Sequence, residues 1–360
     1  MQEKKPNFLY KLFVRLVHRL SSFLFAGIEV YTPNKRQEIP SAFPNIFLGN
    51  HVAELDVAVL CSLYNYMQPA CTFVFPVRED IVQKRFLSNA FPAKGIKKMV
   101  FSLVDFSNII PFLINYTGGI PVKRPFRANS RELLKEGKLR EMVTEQWVVL
   151  AERAALGSNV FLFPEGKLSY DGWINPILRG MYSLRDKILG VKYTPFTMSY
   201  DFLTYAKPKV HLGFGDTVPF SADLTEKEFS LFFRNMLGDL FVVTPGNLFS
   251  FVLFTSEVKK GVSITRFCQL AQEILTELEL KGNIYIAGEF ANASLSELFA
   301  HPIELAQQKG FLNNSNQELR GTERLYDNEK FKYSYLRKKN PYLFHRNQLR
   351  SFQHLLKNWE

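Results

Sequence analysis

Cysteine is scarce in this chain, which has three cysteines in 360 residues: Cys61, Cys71 and Cys268. Their number is odd and no two have Cys-X-X-Cys spacing, so the sequence predicts neither a disulfide framework nor a zinc knuckle. Unpaired thiols suit a reducing compartment. The first apolar stretch is not followed by a small-residue cleavage pattern, so we expect no cleaved export signal.

Long hydrophobic runs are also missing. No run reaches the roughly 18 uninterrupted apolar residues that a membrane-spanning helix needs. The two best candidates are residues 101–116, interrupted by Asp105 and Pro111, and residues 240–254, interrupted by Pro245. We expect both segments to lie in the core of a soluble protein.

Several common catalytic motifs are absent. The sequence has no G-X-S-X-G elbow, no G-X-X-X-X-G-K-[ST] loop, no G-X-G-X-X-G turn and no H-E-X-X-H pair. These absences argue against an α/β-hydrolase, a P-loop nucleotide enzyme, a dinucleotide-binding enzyme and a zinc protease of that type. The six histidines have no metal-ligand spacing. We therefore predict no metal site and no cofactor.

Aromatic residues and positive charge are plentiful. The chain has 34 Phe, 15 Tyr and 3 Trp, a load that needs a deep core, an apolar ligand or a membrane surface. The 45 Lys and Arg exceed the 34 Asp and Glu by 11. This excess favours an acidic partner, such as phosphate, anionic lipid, nucleic acid or an acidic carrier protein.

Both ends of the chain carry basic, apolar-patterned segments. Residues 8–24 have apolar side chains at helical spacing opposite Lys11, Arg15 and Arg19, which is typical of a helix lying on a membrane or packed on a core. Near the other end, residues 264–280 predict an amphipathic helix. Residues 320–360 have a net charge of +6 with interleaved aromatics, and suit nucleic-acid binding, a membrane interface or a solvated helix.

Between these ends, short apolar runs alternate with helical segments. Strands are expected around residues 46–49, 71–77, 119–122, 159–163, 192–200 and 209–214, with helices between them. This alternation predicts an α/β fold with a mixed, largely parallel central sheet flanked by helices. An N-terminal amphipathic helix and a C-terminal helical extension complete the prediction.

The sequence NHVAELD contains a candidate catalytic pair, His51 and Asp56. Positions five apart on one helix point about 140° away from each other, so the two side chains can meet only if His51 precedes the helix. An imidazole with one nitrogen held by a carboxylate can use the other to remove a proton from a hydroxyl. By itself, such a pair is also common as a structural contact.

Two further clusters follow predicted strands. Lys123 and Arg124 follow GGIPV and could hold a phosphate, or form an exposed basic turn. In FPEGKLS, the Glu165 carboxylate could accept hydrogen bonds from a polyol, and Gly166 permits close approach. A tight turn capped by Glu165 is the alternative.

In this order, NHVAELD, GGIPVKR, FPEGKLS and YTPFTMS resemble the four blocks of the glycerolipid acyltransferase family, which includes glycerol-3-phosphate and 1-acylglycerol-3-phosphate acyltransferases. The four blocks span residues 50–199. The resemblance implies that His51 is the general base and Asp56 its orienting partner. It also implies a phosphate site at Lys123 and Arg124 and a polyol-side contact at Glu165 and Gly166.

Two positions depart from the family pattern. Ala53 stands where the first block often has Ser, and Leu168 stands where the third block commonly has Arg. The second departure removes one phosphate ligand, for which Lys167 could compensate. It leaves the identity of the acceptor open.

The resemblance implies transfer of a fatty acyl group from acyl-CoA or acyl carrier protein to glycerol 3-phosphate or a lysophospholipid such as lysophosphatidate. The expected domains are a membrane-surface helix at residues 1–30, an acyltransferase domain at 31–238 and an accessory helical region with a basic tail at 239–360. We expect a cytoplasmic protein associated peripherally with an anionic membrane surface, without nucleic acid. The alternatives are a non-catalytic lipid-surface protein and a nucleic-acid binder that uses the basic tail.

Overall fold

A computed structural model gives the structure of the chain. It describes residues 6–33, 39–40, 43–53, 56–63, 66–68, 71–79, 88, 94–122, 138–185, 187–219, 224–280, 283–315, 318–326 and 336–359. Lys123 and Arg124 lie outside the described residues.

A central sheet organises the described part of the chain, with strand order β1-β9-β8-β3-β7-β5-β6 and β10 paired to β8. Its strands are β1 (Gly27–Tyr31), β3 (Asn45–Gly49), β5 (Phe73–Arg78), β6 (Gly119–Val122), β7 (Asn159–Leu162), β8 (Lys192–Asp201), β9 (Lys209–Phe214) and β10 (Val218–Pro219). The strands from β8 to β6 are mutually parallel, whereas β9 is antiparallel to β8. The predicted α/β class with a mixed, largely parallel sheet is confirmed.

Two small sheets accompany the central one. The first pairs β2 (Ile39–Pro40) with β4 (Met67–Gln68). The second is antiparallel and consists of β11 (Val262–Ser263), β12 (Leu312–Ser315) and β13 (Glu318–Gly321). The C-terminal extension, predicted as helical, is therefore helical with a three-stranded sheet.

Helices flank the central sheet and build most of the C-terminal region. The helices are α1 (Phe8–Leu24), α2 (Asp56–Leu63), α3 (Ile96–Phe106), α4 (Ile109–Tyr116), α5 (Lys138–Ala155), α6 (Arg179–Leu184), α7 (Glu226–Asp239), α8 (Pro245–Leu253), α9 (Ser256–Lys260), α10 (Ile264–Leu280), α11 (Leu295–Gln308), α12 (Glu323–Tyr326), α13 (Leu336–Lys339), α14 (Pro341–Gln348) and α15 (Gln353–Leu356). The helices predicted at residues 8–24 and 264–280 are confirmed. Capping boxes at Thr225, Thr244 and Ser294 satisfy the first free N–H groups of α7, α8 and α11.

A buried cluster of hydrogen bonds connects the predicted acyltransferase domain, residues 31–238, to the predicted accessory region, residues 239–360. The buried Asp201 at the end of β8 accepts hydrogen bonds from the N–H groups of Leu203 (2.9 Å) and Gly246 (2.8 Å). Gly246 is the second residue of α8, and a Cβ atom on it would collide with the Asp201 carboxylate. The division at residue 238 stays a prediction, because nothing in these contacts separates the two parts.

The two apolar runs behave differently. Residues 245–253 form α8, which is buried throughout, as predicted for a core segment. Residues 101–116 contribute to α3 and α4, and the prediction that they lie in the core is wrong, because Leu103, Phe106 and Phe112 are exposed. Within the described residues, none of the helices combines the length and apolar content needed to cross a bilayer.

The basic C-terminal segment folds against the core. Tyr342, Phe344 and Phe352 are buried, and Trp359 donates a hydrogen bond to Glu277 (2.6 Å). Buried rings cannot stack on bases, so these residues do not support the nucleic-acid-binding alternative. Their periodicity reflects packing, which a short window of sequence does not distinguish from binding.

Candidate active site

The predicted site residues that the structure describes lie at one edge of the central sheet. Because β3, β7, β5, β6 and β8 are parallel, their carboxyl ends share this edge. His51 follows β3, Glu165 follows β7, and Tyr200 is near the end of β8. Strand β6, which precedes Lys123, is three strand spacings from β3, about 14 Å.

His51 and Asp56 meet as their spacing required. His51 precedes α2 and Asp56 is its first residue, so the turn between them brings Nδ1 of His51 to 2.8 Å from Oδ2 of Asp56. A carboxylate only accepts hydrogen bonds, so this contact places the imidazole proton on Nδ1. Nε2 is then the basic nitrogen.

The Asp56 carboxylate is buried and held by several donors. The N–H groups of Val52 (2.7 Å) and Ala53 (3.0 Å) donate to Oδ2, and the Tyr200 hydroxyl donates to Oδ1 (2.6 Å). These bonds fix the carboxylate, which in turn fixes the orientation of the His51 imidazole. Orienting groups of this kind reduce the rearrangement needed when the imidazole gains a proton.

The imidazole lies flat against an aromatic ring. The ring centroids of His51 and Phe163 are 4.4 Å apart and the planes are 6° from parallel. The His51 side chain is 22% exposed, and no hydrogen bond from the described residues engages its Nε2. The basic nitrogen is therefore accessible from solvent at the sheet edge.

Glu165 links the FPEG turn to the His51 loop. Its carboxylate is buried; Oε1 accepts from the His51 N–H (2.9 Å), and Oε2 accepts from the main-chain (2.6 Å) and side-chain (2.7 Å) N–H groups of Asn175. Burial raises the pKa of Glu165 to about 7, although the donors on Asn175 and His51 act in the opposite direction. A polyol contact by Glu165 stays a prediction, and it would compete with these bonds.

Glycine is required at two places around the site. A Cβ atom on Gly49, at the end of β3, would collide with the Phe196 ring on β8. Gly166 has a φ of +63°, in the left-handed region, and a Cβ atom there would meet Leu178. The predicted close approach at Gly166 is thus made by the chain itself.

Sequence reasoning missed three residues at this site: Phe163, Tyr200 and Arg337. Phe163 begins the block FPEGKLS, and Tyr200 directly follows the block YTPFTMS. The pairing register of the parallel strands would have placed both residues beside His51. Arg337, in the basic C-terminal segment, donates a hydrogen bond to the carbonyl oxygen of Val52, next to His51. No spacing signal in the sequence points to this contact. The phosphate role predicted for Lys123 and Arg124 stays a prediction.

A second charged cluster involves β1 and β9, at the end of the strand order away from β6. Among the described residues, Glu29, His211 and Glu289 bring ligand atoms close enough to share a metal ion. However, Nδ1 of His211 faces Glu29 (3.5 Å) while Nε2 faces Glu289 (3.3 Å), and the Lys209 ammonium pairs with both carboxylates (2.6 and 2.9 Å). Lys209 thus supplies one positive charge to the two carboxylates.

The protonation of this cluster follows from its charges. Burial disfavours a charged His211, but the hydrogen bonds and attraction of Glu289 and Glu29 outweigh burial and raise its pKa. The hydrogen bond from His211 leads the effects that lower the pKa of Glu29. In Glu289, the same attractions overcome burial and lower the pKa. An imidazolium between two carboxylates describes the cluster best.

No family model matches the chain. The chloroplastic 1-acyl-sn-glycerol-3-phosphate acyltransferase BAT2 of Brassica napus is 25% identical over 199 residues, which cover 53% of this chain and 44% of that protein. The chain is similar to glycerolipid acyltransferases. The resemblance inferred from the four motifs is confirmed, and the matched region spans less than half the length of that acyltransferase.

Among solved structures, the 1-acyl-sn-glycerophosphate (LPA) acyltransferase PlsC from Thermotoga maritima matches the chain. The match covers 63% of this chain and 76% of that chain, with 16% sequence identity and a TM-score of 0.38.

Proposed function

We propose that the chain is an O-acyltransferase. It transfers a fatty acyl group from acyl-CoA or acyl carrier protein to a hydroxyl of glycerol 3-phosphate or of a lysophospholipid such as lysophosphatidate. The observation that carries the proposal is the His51–Asp56 contact of 2.8 Å, with Nε2 accessible at the sheet edge. The similarity to a 1-acylglycerol-3-phosphate acyltransferase supports this choice of substrates.

The reaction follows from the position of Nε2. His51 accepts the proton of the acceptor hydroxyl through Nε2 as the oxygen attacks the thioester carbonyl carbon. The tetrahedral intermediate collapses, the carbon–sulfur bond breaks, and the thiolate takes the proton back from the imidazolium. The product is an ester and a free thiol. General-base catalysis of this kind typically contributes about 10² to 10⁴ in rate.

The other groups position the pair or the acceptor. Asp56 holds the Nδ1 proton and stabilises the imidazolium. Glu165 positions the His51 backbone through its hydrogen bond of 2.9 Å. Lys123 and Arg124 follow a strand that ends at the same sheet edge, which supports their proposed role as ligands of the acceptor phosphate.

Peripheral attachment to an anionic membrane is part of the proposal. Helix α1 buries Tyr10 and Val14 but leaves Phe8, Leu12 and Leu16 exposed. An exposed apolar stripe on a basic helix supports insertion at the lipid interface. The helix also packs on α2, which begins with Asp56, so attachment would place the active site near lipid substrates.

The test is a panel of acceptors incubated with labelled acyl-CoA or acyl carrier protein, with the labelled lipid as readout. We expect His51→Ala to lower acyl transfer by at least about 10²-fold without loss of fold. His301→Ala, which changes an exposed histidine on α11, is the matched control and should retain activity. Wild-type activity in His51→Ala would contradict the mechanism. Vesicle binding by the wild-type chain without turnover would instead favour the non-catalytic lipid-surface protein.

A further inference from the structure

Exposed apolar side chains are concentrated on three helices. Of the 22 large hydrophobic residues that are exposed in the described chain, twelve lie on α1, α3 and α4. They are Phe8, Leu9, Leu12, Leu16, Phe23, Leu24, Met99, Val100, Leu103, Phe106, Ile109 and Phe112. We call these twelve side chains the three-helix apolar surface. Contiguous apolar patches on soluble proteins mark binding surfaces, whereas single exposed residues do not.

On α3 and α4 the exposed residues form stripes. Met99, Leu103 and Phe106 have spacings of four and three residues, so they share one face of α3. Ile109 and Phe112 continue the exposed set on α4, and Phe106 is 87% exposed. Both helices therefore turn apolar side chains outward, where a core helix would turn them inward.

A chain of contacts connects α4 to α1. The rings of Phe112 and Tyr116 are stacked with centroids 6.0 Å apart. The Tyr116 hydroxyl donates a hydrogen bond of 2.9 Å to the Asn7 side chain, just before α1, and the Tyr116 ring lies 6.5 Å from that of Tyr10. These contacts hold the apolar residues of α1 and α4 on adjacent parts of the molecule.

Positive charge accompanies the apolar residues. Lys11, Arg15 and Arg19 are exposed on α1, and Lys94 and Lys98 are exposed at the start of α3. Basic residues that flank apolar ones suit a bilayer with anionic headgroups, because the apolar side chains enter the acyl region while the cations stay at the phosphates. A protein partner would need no such combination along three separate helices.

We propose that α3 and α4 form a second membrane contact, which inserts Met99, Leu103, Phe106, Ile109 and Phe112 into the same anionic bilayer that α1 contacts. The inference rests on the proposed function only for the membrane contact of α1. It needs no assumption about the reaction. Two contacts joined in one molecule bind more tightly than either alone, because the second insertion is intramolecular.

Vesicle flotation with the full-length chain tests the second contact. The vesicles contain phosphatidylcholine alone or phosphatidylcholine with phosphatidylglycerol. We expect the wild-type chain to float with the anionic vesicles, and the double variant Leu103→Gln and Phe106→Gln to bind them at least about tenfold more weakly. Leu280→Gln is the matched control, because Leu280 is 81% exposed on α10, outside the three-helix apolar surface. Equal binding by all three proteins would overturn the proposal.

A second measurement reports insertion directly and does not depend on the double variant. Tryptophan in Phe106→Trp should be quenched by phospholipids with brominated acyl chains, and tryptophan in Leu280→Trp should not. Absence of quenching at position 106 would refute insertion. A wild-type dimer in solution that the double variant disrupts would assign this surface to a second copy of the chain, and would also refute it.

Acyl transfer with detergent-dispersed substrates separates this inference from the proposed function. The double variant should keep that activity, because Leu103 and Phe106 are 72% and 87% exposed, so their replacement leaves the packing of the described chain nearly unchanged. If the double variant keeps acyl transfer and also keeps its vesicle binding, only the second membrane contact is rejected. If the tryptophan of Phe106→Trp is quenched but the wild-type chain shows no acyl transfer, only the proposed function is rejected.

Discussion

Arg337 donates a hydrogen bond to the carbonyl oxygen of Val52 at 2.8 Å, although the two residues are 285 positions apart. Val52 directly follows His51, so the C-terminal segment braces the loop that carries the candidate general base. The Arg337 guanidinium also lies 5.1 Å from the centre of the Phe202 ring. A second link is close by, since the Leu336 N–H donates to the Tyr170 carbonyl at 2.9 Å.

We predict that Arg337 is a positioning residue for acyl transfer. Arg337→Ala should lower kcat by about tenfold and leave KM nearly unchanged, because it removes one charged hydrogen bond from the His51 loop without touching the substrate. Steady-state kinetics measure both constants. Arg350→Ala, which removes an ion pair between Arg350 and Asp171 at the surface, is the control. An effect on KM alone would argue for substrate binding by Arg337.

The Asp56 carboxylate should matter more than any one of its donors. Asp56→Asn removes the charge that stabilises the imidazolium, so kcat should fall at least about 10²-fold. Tyr200→Phe removes one hydrogen bond of 2.6 Å and should lower kcat less than about tenfold. Comparing kcat for the two variants separates the contribution of the Asp56 charge from the contribution of the Tyr200 hydrogen bond that orients the carboxylate. Similar losses in both would contradict a charge-stabilising role for Asp56.

Glu165 should make stability depend on pH. Burial raises its pKa from 4.5 to about 7, so between these values the folded chain keeps a proton that the unfolded chain has lost. The free energy of unfolding should therefore decrease as the pH rises through this window. Urea denaturation of the wild type and Glu165→Gln at about pH 5 and about pH 8 should show a larger decrease in the wild type than in the variant.

The His211 cluster should add a separate pH dependence. Attraction to Glu29 and Glu289 raises the pKa of His211, so its contribution is complete below the ordinary value of 6.5 and is lost as the pH rises through the raised value. The lowered pKa values of Glu29 and Glu289 have the opposite effect on stability. These carboxylates stabilise the folded chain above the ordinary value of 4.5, and their contribution is lost as the pH falls through the lowered values. The stability difference between the wild type and His211→Gln should be largest in mildly acidic buffer. A difference that is independent of pH would exclude an imidazolium.

Arg124 should affect the acceptor and not the chemistry. We expect Arg124→Ala to raise the KM for a phosphate-bearing acceptor and to change kcat little, because a phosphate ligand acts mainly on binding. An acceptor without phosphate is the control, and its KM should not change. Equal effects on both acceptors would rule out the phosphate role.

Much of the fold could be predicted because it depends on local patterns. Buried strands such as β3 appear as continuous apolar runs, and α10 has helical periodicity, so both can be identified from short windows. The exposed face of α3 could not, because an apolar run has the same composition in a core and at a lipid surface. For the same reason, the sequence left the role of the buried C-terminal aromatics open.

The candidate site also has residues that the sequence predicts and residues that it does not. The His51–Asp56 pair could be predicted from the sequence, because the five-residue spacing lets the two side chains meet when His51 precedes α2. That Tyr200, Phe163 and Arg337 also contact the pair or its loop follows from the three-dimensional arrangement of the strands and the C-terminal segment. Their contacts arise from parallel strand register and from the return of the C-terminal segment, and the free energy of such long-range packing is not encoded in any local stretch of residues.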